Sequence, residues 1–239
     1  VLLQEKHAAG GVKLIEGSVR ASTIAPNLFD GGLVHDASGS TLTVFPTVDD
    51  NKVPIELTAS LIVDATGFES KLTARELPSA TGLWAEIPPG YQIAYGMTVD
   101  VKGSGSIAPY SPDAMTLFDY RTDHLVGTDM LADAEDRPSF VYVMPIGKEP
   151  GQSVFFEETS LVGRDERRLE FETLKRRLVR RLKFHGIEYD DASIREEEYC
   201  YIPMGGTLPE STQRVVPFGG AANTVHPATG YQLCRMLAS

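Results

Sequence analysis

The stretch VVPFGGAANTVHPATGY, which spans Val215–Tyr231, is the most informative part of the sequence. Its apolar start is typical of a buried β-strand, and four small residues, Gly219–Ala222, follow it. Small residues between a strand and a helix let the backbone approach a ligand closely. The stretch leads into Leu233–Leu237, which reads as a helix, and free N–H groups at a helix start suit a phosphate or another electron-rich group.

A second stretch, LIVDATG, covers Leu61–Gly67 and reads as a buried strand that ends at a glycine turn. Two strand-to-turn junctions rich in small residues suit a cofactor that lies close to the backbone. Together the two stretches favour a flavin-binding protein.

The composition is that of an ordinary globular protein. The 239 residues are 42% hydrophobic and 23% charged, enough to bury the core of one large domain or two small ones. The formal net charge of −11 argues against nucleic acid as the main partner. No apolar run approaches the ~20 residues of a membrane-spanning helix. Cys200 and Cys234 fit no metal or disulfide spacing, so we expect no metal site and two core thiols in a reducing compartment.

Alternating apolar residues predict two antiparallel sheets. The first is a meander of Leu33–His35, Thr41–Phe45 and Ile55–Leu57 that leads into a strand at Leu61–Asp64. The second contains Ile93–Val101, Phe140–Ile146 and Ser153–Thr159. Before the first sheet the sequence predicts a helix at Leu2–Ala9 and strands at Val12–Ile15 and Val19–Ile24. Ser70–Pro89 reads as a loop.

The clearest predicted helix spans Asp165–His185. Four apolar residues at spacings of three and four form one stripe: Phe171, Leu174, Leu178 and Leu182. Six basic residues also lie on it: Lys175, Arg176, Arg177, Arg180, Arg181 and Lys183. This basic cluster predicts either a solvated helix face or a contact with anionic lipid headgroups.

The segment FFEET, Phe155–Thr159, carries the best candidates for chemistry. Strand alternation puts Glu157 and Glu158 on opposite faces, so one carboxyl group lies beside an aromatic ring whichever face is inward. Desolvation there would raise its pKa and suit general acid/base work on an apolar substrate. An edge strand with two solvated glutamates fits the same pattern. Taken alone, His226 reads as a turn residue and Asp64 as a turn former.

Several segments in one order resemble the lycopene cyclases of plants, algae and cyanobacteria. They are FFEET at Phe155–Thr159, YIPMGGTLP at Tyr201–Pro209 and VHPATGY at Val225–Tyr231, with DATGF at Asp64–Phe68, YQIAYG at Tyr91–Gly96, FDYR at Phe118–Arg121 and YVMP at Tyr142–Pro145. The resemblance covers roughly residues 55 to 239. Phe156 stands where many family members carry Leu.

The resemblance implies an α/β (α+β) flavoprotein of the glutathione-reductase-like superfamily with two domains. Residues 1–90 and 201–239 would belong to the FAD-binding domain, and residues 91–200, with the helix at 165–185, to an antiparallel substrate-binding sheet. Glu157 would be the acid/base and Glu158 its support. The implied flavin contacts are Asp64, Ala65, Thr66, Gly67, Gly219, Gly220, Ala221, Ala222, His226, Pro227, Thr229 and Gly230. The Gly-x-Gly-x-x-Gly motif of the family's N-terminus is absent, so we expect the C-terminal part of a longer protein.

The activity implied is cyclisation of lycopene and other linear carotenoids, a non-redox isomerisation supported by reduced FAD with NADPH as electron source. Phe155, Tyr95 or Tyr120 would steady the cation. The protein would lie on a membrane surface, in the plastid of a eukaryote or on the thylakoid or cytoplasmic membrane of a cyanobacterium. Details such as Asp119-Tyr120-Arg121 resemble the ε-type enzymes more than the β-type.

Two other functions fit the residues. One is a related FAD-dependent reductase or monooxygenase of isoprenoids, which would transfer electrons to its substrate. The other is a non-catalytic module that binds a membrane surface. Incorporation of solvent deuterium without a change in oxidation level distinguishes a cyclase from both.

Overall fold

The computed structural model divides into two units. It describes residues 11, 13–19, 32–46, 53–76, 87–102, 106–147 and 152–238. The first unit comprises Val1–Glu86, Thr207–Thr224 and Gln232–Ser239, and the second comprises Ile87–Gly206 and Val225–Tyr231. That the first unit holds the flavin and the second the substrate stays a prediction. The helix predicted at Leu2–Ala9 lies outside the described residues.

The first unit contains a small antiparallel sheet and a parallel strand pair. Strand β3 (Ser40–Pro46) pairs with β1 (Gly17–Ser18), β2 (Leu33–His35) and β4 (Ile55–Ala59), all antiparallel, which confirms the predicted meander. Strand β5 (Ile62–Asp64) pairs with β11 (Val215–Pro217) in parallel, so the two stretches that indicated a flavin protein are hydrogen-bonded neighbours.

The second unit is built on a five-stranded antiparallel sheet. Its strands are β6 (Gly90–Asp100), β7 (Thr116–Asp119), β8 (Ser139–Pro145), β9 (Ser153–Ser160) and β10 (Glu196–Met204), in the spatial order β10-β6-β9-β8-β7. The described residues also form three α-helices, α1 (Leu131–Asp136), α2 (Phe171–Phe184) and, in the first unit, α3 (Leu233–Leu237), together with three short 3₁₀ turns. The three strands predicted for this sheet are all present.

One face of the five-stranded sheet packs against α2. Leu174, Leu178 and Leu182, which share one side of the helix, are at most 1% exposed and belong to the same buried cluster as the strand residues Met97 and Phe156. Burying three leucines stabilises the unit by roughly 1.5–3 kcal/mol for each side chain. The predicted apolar stripe is therefore the surface that fixes α2 on the sheet.

Three predicted elements differ from the structure or lie partly outside the described residues. The long helix starts at Phe171 rather than Asp165, because Asp165–Arg167 forms a separate 3₁₀ turn and Glu170 is extended, with φ −87° and ψ 151°. The extended segment lets Leu169, which is 4% exposed, reach the core. Of the predicted strand Val12–Ile15, residues 13–15 are described and belong to no strand. Val19 also belongs to no strand, and the rest of the predicted strand Val19–Ile24 lies outside the described residues.

The cysteines do not match the expectation of core thiols. Both are unpaired, Cys200 is half-buried and Cys234 is exposed. In the described part of the chain no helix is long and apolar enough to span a membrane.

Candidate acid site and flavin turns

The two glutamates of FFEET lie on β9, between β6 and β8. Glu157 lies opposite Gly96 on β6 and Tyr142 on β8, and Glu158 lies opposite Tyr95 and Val141. Because successive side chains of a strand point to opposite faces, the two carboxyl groups lie on opposite sides of the sheet. Glu158 shares the face that packs against α2.

Glu158 is ion-paired inside the protein. Arg181 of α2 donates from Nε to its Oε2 at 3.0 Å and from Nη2 to its Oε1 at 3.1 Å. Both side chains are 1% exposed, and the Ser139 hydroxyl donates a third hydrogen bond at 2.7 Å. Arg177, also buried, donates to Ser139 and pairs with Asp133 at 2.8 Å. Two arginines of α2 therefore neutralise two carboxylates on this side of the sheet, Arg181 that of Glu158 and Arg177 that of Asp133.

Glu157 has a different environment. Burial raises the pKa of its carboxyl above the ordinary value; a hydrogen bond donated by Thr159 Oγ1 at 2.8 Å opposes this shift, and the charge of Glu198 adds to it. A carboxyl group with a raised pKa holds its proton closer to neutral pH, as a general acid requires.

An aromatic cluster lies on the same face as Glu157. Tyr142, directly opposite Glu157, has its ring centroid 5.1 Å from that of Phe140 and 5.3 Å from that of Phe118. Phe118 also stacks on Tyr231 at 6.1 Å, and Tyr231 is 48% exposed. The rings form a partly open apolar surface beside an acid, and aromatic faces attract cations.

This cluster replaces part of the set predicted from the sequence. Tyr95 is wrong as a cation contact, because it lies on the opposite face and its hydroxyl donates to Glu197 at 2.6 Å. Phe155 does share the face of Glu157, and Tyr120 contacts Phe140 at 5.1 Å. Phe118, Phe140, Tyr142 and Tyr231 were not among the predicted cation contacts. Phe140 and Tyr142 could have been found from the sequence, because they lie two residues apart in the strand SFVYVMP and so share a face.

Phe118 has a backbone conformation that is uncommon for its residue type. Its φ is +55°, in the left-handed region, and it lies where the pairing of β7 with β8 is irregular between Thr116 and Asp119. A bulge of this kind redirects a side chain. Here the ring it carries joins the aromatic cluster.

Asp64 organises the first of the two turns that are predicted to contact flavin, Asp64–Gly67 (hereafter the first flavin turn). Its buried carboxylate accepts hydrogen bonds from the backbone N–H of Thr66 at 3.0 Å and from the hydroxyls of Thr66, Ser70 and Thr73. Burial raises the pKa of this carboxyl, but these hydrogen bonds outweigh it and leave the pKa below its usual value. The side chain is thus committed to the turn, and Ala65 and Thr66 are exposed at its edge.

The second turn predicted to contact flavin, Gly219–Ala222 (hereafter the second flavin turn), packs against the first. A Cβ added to Gly220 would lie 3.1 Å from the amide nitrogen of Phe68 and 3.2 Å from the Cα of Gly67. Gly219 has φ +62°, and Gly67 has φ +98° with open space where a side chain would project. Ala221 is buried and Ala222 half-buried. Gly220 therefore provides the close approach between the turns, while Gly67 leaves room beside them.

The remaining predicted flavin residues form a tight loop in the second unit. His226 donates its backbone N–H to Tyr231 at 2.9 Å, and its carbonyl accepts from Thr229 and Gly230 at 3.3 and 2.9 Å. Its Nδ1 lies 3.1 Å from the Thr229 hydroxyl. Pro227 is exposed, and Gly230 has φ +74°. Here His226 acts as the turn residue that its sequence alone indicates.

The basic residues of α2 do not form one solvated face. Arg177 and Arg181 are 0% and 1% exposed and are ion-paired inside the unit, and Lys175 pairs with Glu197 at 2.9 Å. Arg176, Arg180 and Lys183 remain along one edge of the helix. The prediction of one solvated face for all six residues was wrong, because Arg177 and Arg181 are buried and ion-paired, Arg177 with the half-buried Asp133 and Arg181 with the buried Glu158.

A surface groove of about 860 Å³ lies elsewhere in the second unit, lined by Arg137, Phe171 and Tyr201 among others. It contains none of the predicted site residues.

Comparison with known proteins identifies the family. A family model described as lycopene cyclase protein matches residues 32–239. The chain belongs to the lycopene cyclase family. It is 38% identical over 208 residues to the lycopene beta cyclase, chloroplastic, of Arabidopsis thaliana, covering 87% of this chain and 36% of that protein. It is 40% identical over 191 residues to a neoxanthin synthase, chloroplastic, of Solanum lycopersicum, covering 80% and 34%.

The chain spans about a third of the length of these relatives. Among solved structures, it resembles the flavin-dependent halogenase BrvH from Brevundimonas sp. BAL3, with a TM-score of 0.50 and 14% identity over 98% of this chain and 38% of that one. At this identity the likeness concerns the fold, and it agrees with the mixed α/β class predicted from the sequence.

Proposed function

We propose that this chain carries the acid of a lycopene cyclase, and that Glu157 is that acid. The observation that carries the proposal is the position of Glu157, whose carboxyl has a raised pKa and lies beside an aromatic surface in a chain of this family. The buried ion pair with Arg181 gives Glu158 a supporting role. Hereafter, "the complete protein" means the natural gene product in which this chain occurs.

The mechanism begins with proton transfer. The Glu157 carboxyl donates its proton to the terminal C1=C2 double bond of lycopene, and a tertiary cation forms. The C5=C6 bond attacks this cation and closes the ring, and loss of a proton from C6 or C4 gives a β- or an ε-ring. Proton gain and loss balance, so the product is an isomer. Tyr142, Phe118 and Phe140 would stabilise the cation by about 0.5–2 kcal/mol each.

The flavin proposal rests on the family resemblance and on the two turns. Gly67 leaves space beside the turns, and Gly219 and Gly220 bring the backbone close, which fits a bound cofactor. Asp64 would act by holding the turn rather than by direct contact. Reduced FAD, with NADPH as electron source, would support the non-redox step. Ala65, Thr66, Ala221, Ala222 and the loop residues His226, Pro227, Thr229 and Gly230 remain proposed contacts.

For the ring type we propose β. The relatives compared are named beta cyclases and neoxanthin synthases, and they give no support to the ε-type features noted in the sequence. The relatives are also named chloroplastic, so we propose a plastid location. Because lycopene dissolves in membranes, we further propose contact with a membrane surface, for which the α2 edge of Arg176, Arg180 and Lys183 is one candidate.

The test is an assay of the purified complete protein with lycopene in D₂O. We expect a cyclic carotene that carries one solvent deuteron for each ring and has the oxidation level of lycopene. A product with a changed hydrogen count would instead support an isoprenoid reductase or monooxygenase. Binding to vesicles without any cyclic product would support the non-catalytic alternative.

A further inference from the structure

A second carboxyl group faces Glu157 across the sheet. In the register of the sheet, Glu198 on β10 lies opposite Gly96 on β6, and Gly96 lies opposite Glu157 on β9. Residues directly opposite on neighbouring strands share a face, so the side chains of Glu198 and Glu157 project from the same side. The residue between them has no side chain.

The space above Gly96 is filled by an aromatic ring. A Cβ at Gly96 would lie 2.5 Å from Cζ of Phe155, so a larger residue could not stand there with the ring in place. Phe155 itself is two residues from Glu157 on the same face. The two carboxyl groups are therefore separated by an apolar ring and a glycine rather than by a polar side chain, and charges interact more strongly through such a medium than through water.

Glu198 is held in place from its own strand. The Sγ of Cys200, on the same face, lies 3.8 Å from Glu198 Oε2, as a thiol donor to a carboxylate. Burial raises the pKa of this thiol, and the charges of Glu198 and Glu157 raise it further, so it stays protonated and able to donate. Glu198 is half-buried.

The groups that face Glu157 come from three strands and one loop. Glu198 and Cys200 face it from β10, Tyr142 from β8 and Thr159 from its own strand, with Tyr231 beyond Tyr142. Within the described residues, no basic side chain acts on this carboxyl. This contrasts with Glu158, which has Arg181 as a direct partner.

We propose that Glu198 is a positioning residue of the acid site, which keeps Glu157 in its proton-donating form by presenting a negative charge across Gly96. The inference rests on the proposed function of Glu157. In this arrangement Glu198 does not contact the substrate. It acts because ionising Glu157 would place two negative charges on one face of the sheet with no cation between them.

The test is the pH profile of cyclisation by the complete protein, compared with that of Glu198→Gln. Glu157 donates only when protonated, so turnover is present below its pKa and is lost above it. Removing the charge of Glu198 lowers that pKa, and the alkaline limb of kcat should move to lower pH by roughly half a unit to one unit. On that limb the rate should fall about 3- to 10-fold, while KM for lycopene and the rate at low pH stay unchanged.

Three further variants separate charge from shape. Glu198→Asp keeps the charge and should keep the wild-type profile, and Glu198→Ser should shift it as Glu198→Gln does. Glu196→Gln removes one charge from the same face of β10 but lies one row away, opposite Thr98, and should shift the limb much less. Glu198→Ser also serves as the neutral variant if Glu198→Gln does not fold.

The outcomes distinguish this inference from the function on which it rests. If Glu157→Gln still cyclises lycopene at the wild-type rate, the proposed function fails and the role of Glu198 fails with it. If Glu157→Gln is inactive but both neutral variants of Glu198 give the wild-type pH profile, only the positioning role is overturned. A limb that moves equally in Glu198→Asp would also overturn it, because the charge is then not the cause.

Discussion

Glu158 and Arg181 form a two-point ion pair inside the second unit, with hydrogen bonds of 3.0 and 3.1 Å between guanidinium and carboxylate. The pair joins the C-terminal half of β9 to α2. The ion pair thereby fixes β9 on the helix, and Glu157 of the same strand projects from the opposite face of the sheet. The buried pair is therefore the structural support of the proposed acid, although it does not share its face.

Breaking this pair should destabilise the protein strongly. Arg181→Met leaves the Glu158 carboxylate buried without its cation, which typically costs about 3–5 kcal/mol of unfolding free energy. The double variant Arg181→Met with Glu158→Leu removes both charges and should recover much of that loss. Urea unfolding of the complete protein measures each value. Arg176→Met is the matched control, because its ion pair with Asp129 is exposed, and it should cost under about 1 kcal/mol. Equal losses in the single and double variants would contradict this account.

His124 should make the fold sensitive to acid. It lies in the 3₁₀ turn Asp123–Leu125, is 1% exposed, and neither ring nitrogen has a hydrogen-bond partner among the described residues. Burial, aided by the charge of Arg181, lowers the pKa of its imidazole to about 3. Between that pH and ~6.5 the unfolded chain binds the extra proton, so this contribution to stability is lost as the pH falls.

The variant His124→Leu removes this titration without breaking a hydrogen bond. The loss of unfolding free energy between pH 7 and pH 5 should be smaller in the variant by up to about 2 kcal/mol. Urea unfolding at both pH values measures the difference. The same pH dependence in both proteins would show that His124 is not buried in its neutral form.

Gly220→Val should separate the two flavin turns. The new Cβ would lie 3.1 Å from the Phe68 amide nitrogen and 3.2 Å from the Gly67 Cα, and backbone atoms there cannot move without shifting the turn. We expect reduced flavin per molecule of purified complete protein, measured by absorbance after denaturation. Val216→Ile adds bulk on the exposed side of the neighbouring strand and should leave flavin content unchanged. Wild-type flavin content in Gly220→Val would argue against these turns as the cofactor site.

The edge of α2 formed by Arg176, Arg180 and Lys183 gives a prediction about membranes. Arg176, Arg180 and Lys183 recur at spacings of four and three, so they share one side of the helix. Each basic residue near an anionic surface contributes about 1 kcal/mol, so Arg176→Glu with Lys183→Glu should weaken binding to phosphatidylserine vesicles at least about 30-fold. Binding should also fall as salt rises. Binding that neither salt nor these substitutions change would place the membrane contact elsewhere.

Strand alternation was enough to predict that Glu157 and Glu158 face opposite sides of a sheet. It could not tell which side α2 covers, because that depends on packing between segments distant in sequence. Arg177 and Arg181 show the same limit. Their partners Asp133 and Glu158 lie 44 and 23 residues away, so an apolar stripe in the helix sequence gives no sign that two arginines beside it are buried.

The flavin turns show what local sequence does determine. The sequence alone predicted that strands end near Asp64 and Pro217 and that small residues follow them, because glycine turns have strong local signals. The sequence did not predict the parallel pairing of β5 with β11 or the contact of Gly220 with Gly67. Both depend on how segments far apart in sequence align in the fold. The row Glu198–Gly96–Glu157 was missed for the same reason, since it crosses three strands.

The most direct test of the central claim is the pigment made by the complete protein with Glu157→Gln in lycopene-accumulating bacteria. The amide keeps the shape of the side chain but has no proton to donate, and loss of a general acid typically costs about 10²–10⁴-fold in rate. We predict that lycopene remains uncyclised while the purified variant retains its flavin, and that Glu196→Gln yields cyclic carotene as the wild type does. Near-normal cyclic carotene from Glu157→Gln would contradict the assignment of Glu157 as the acid.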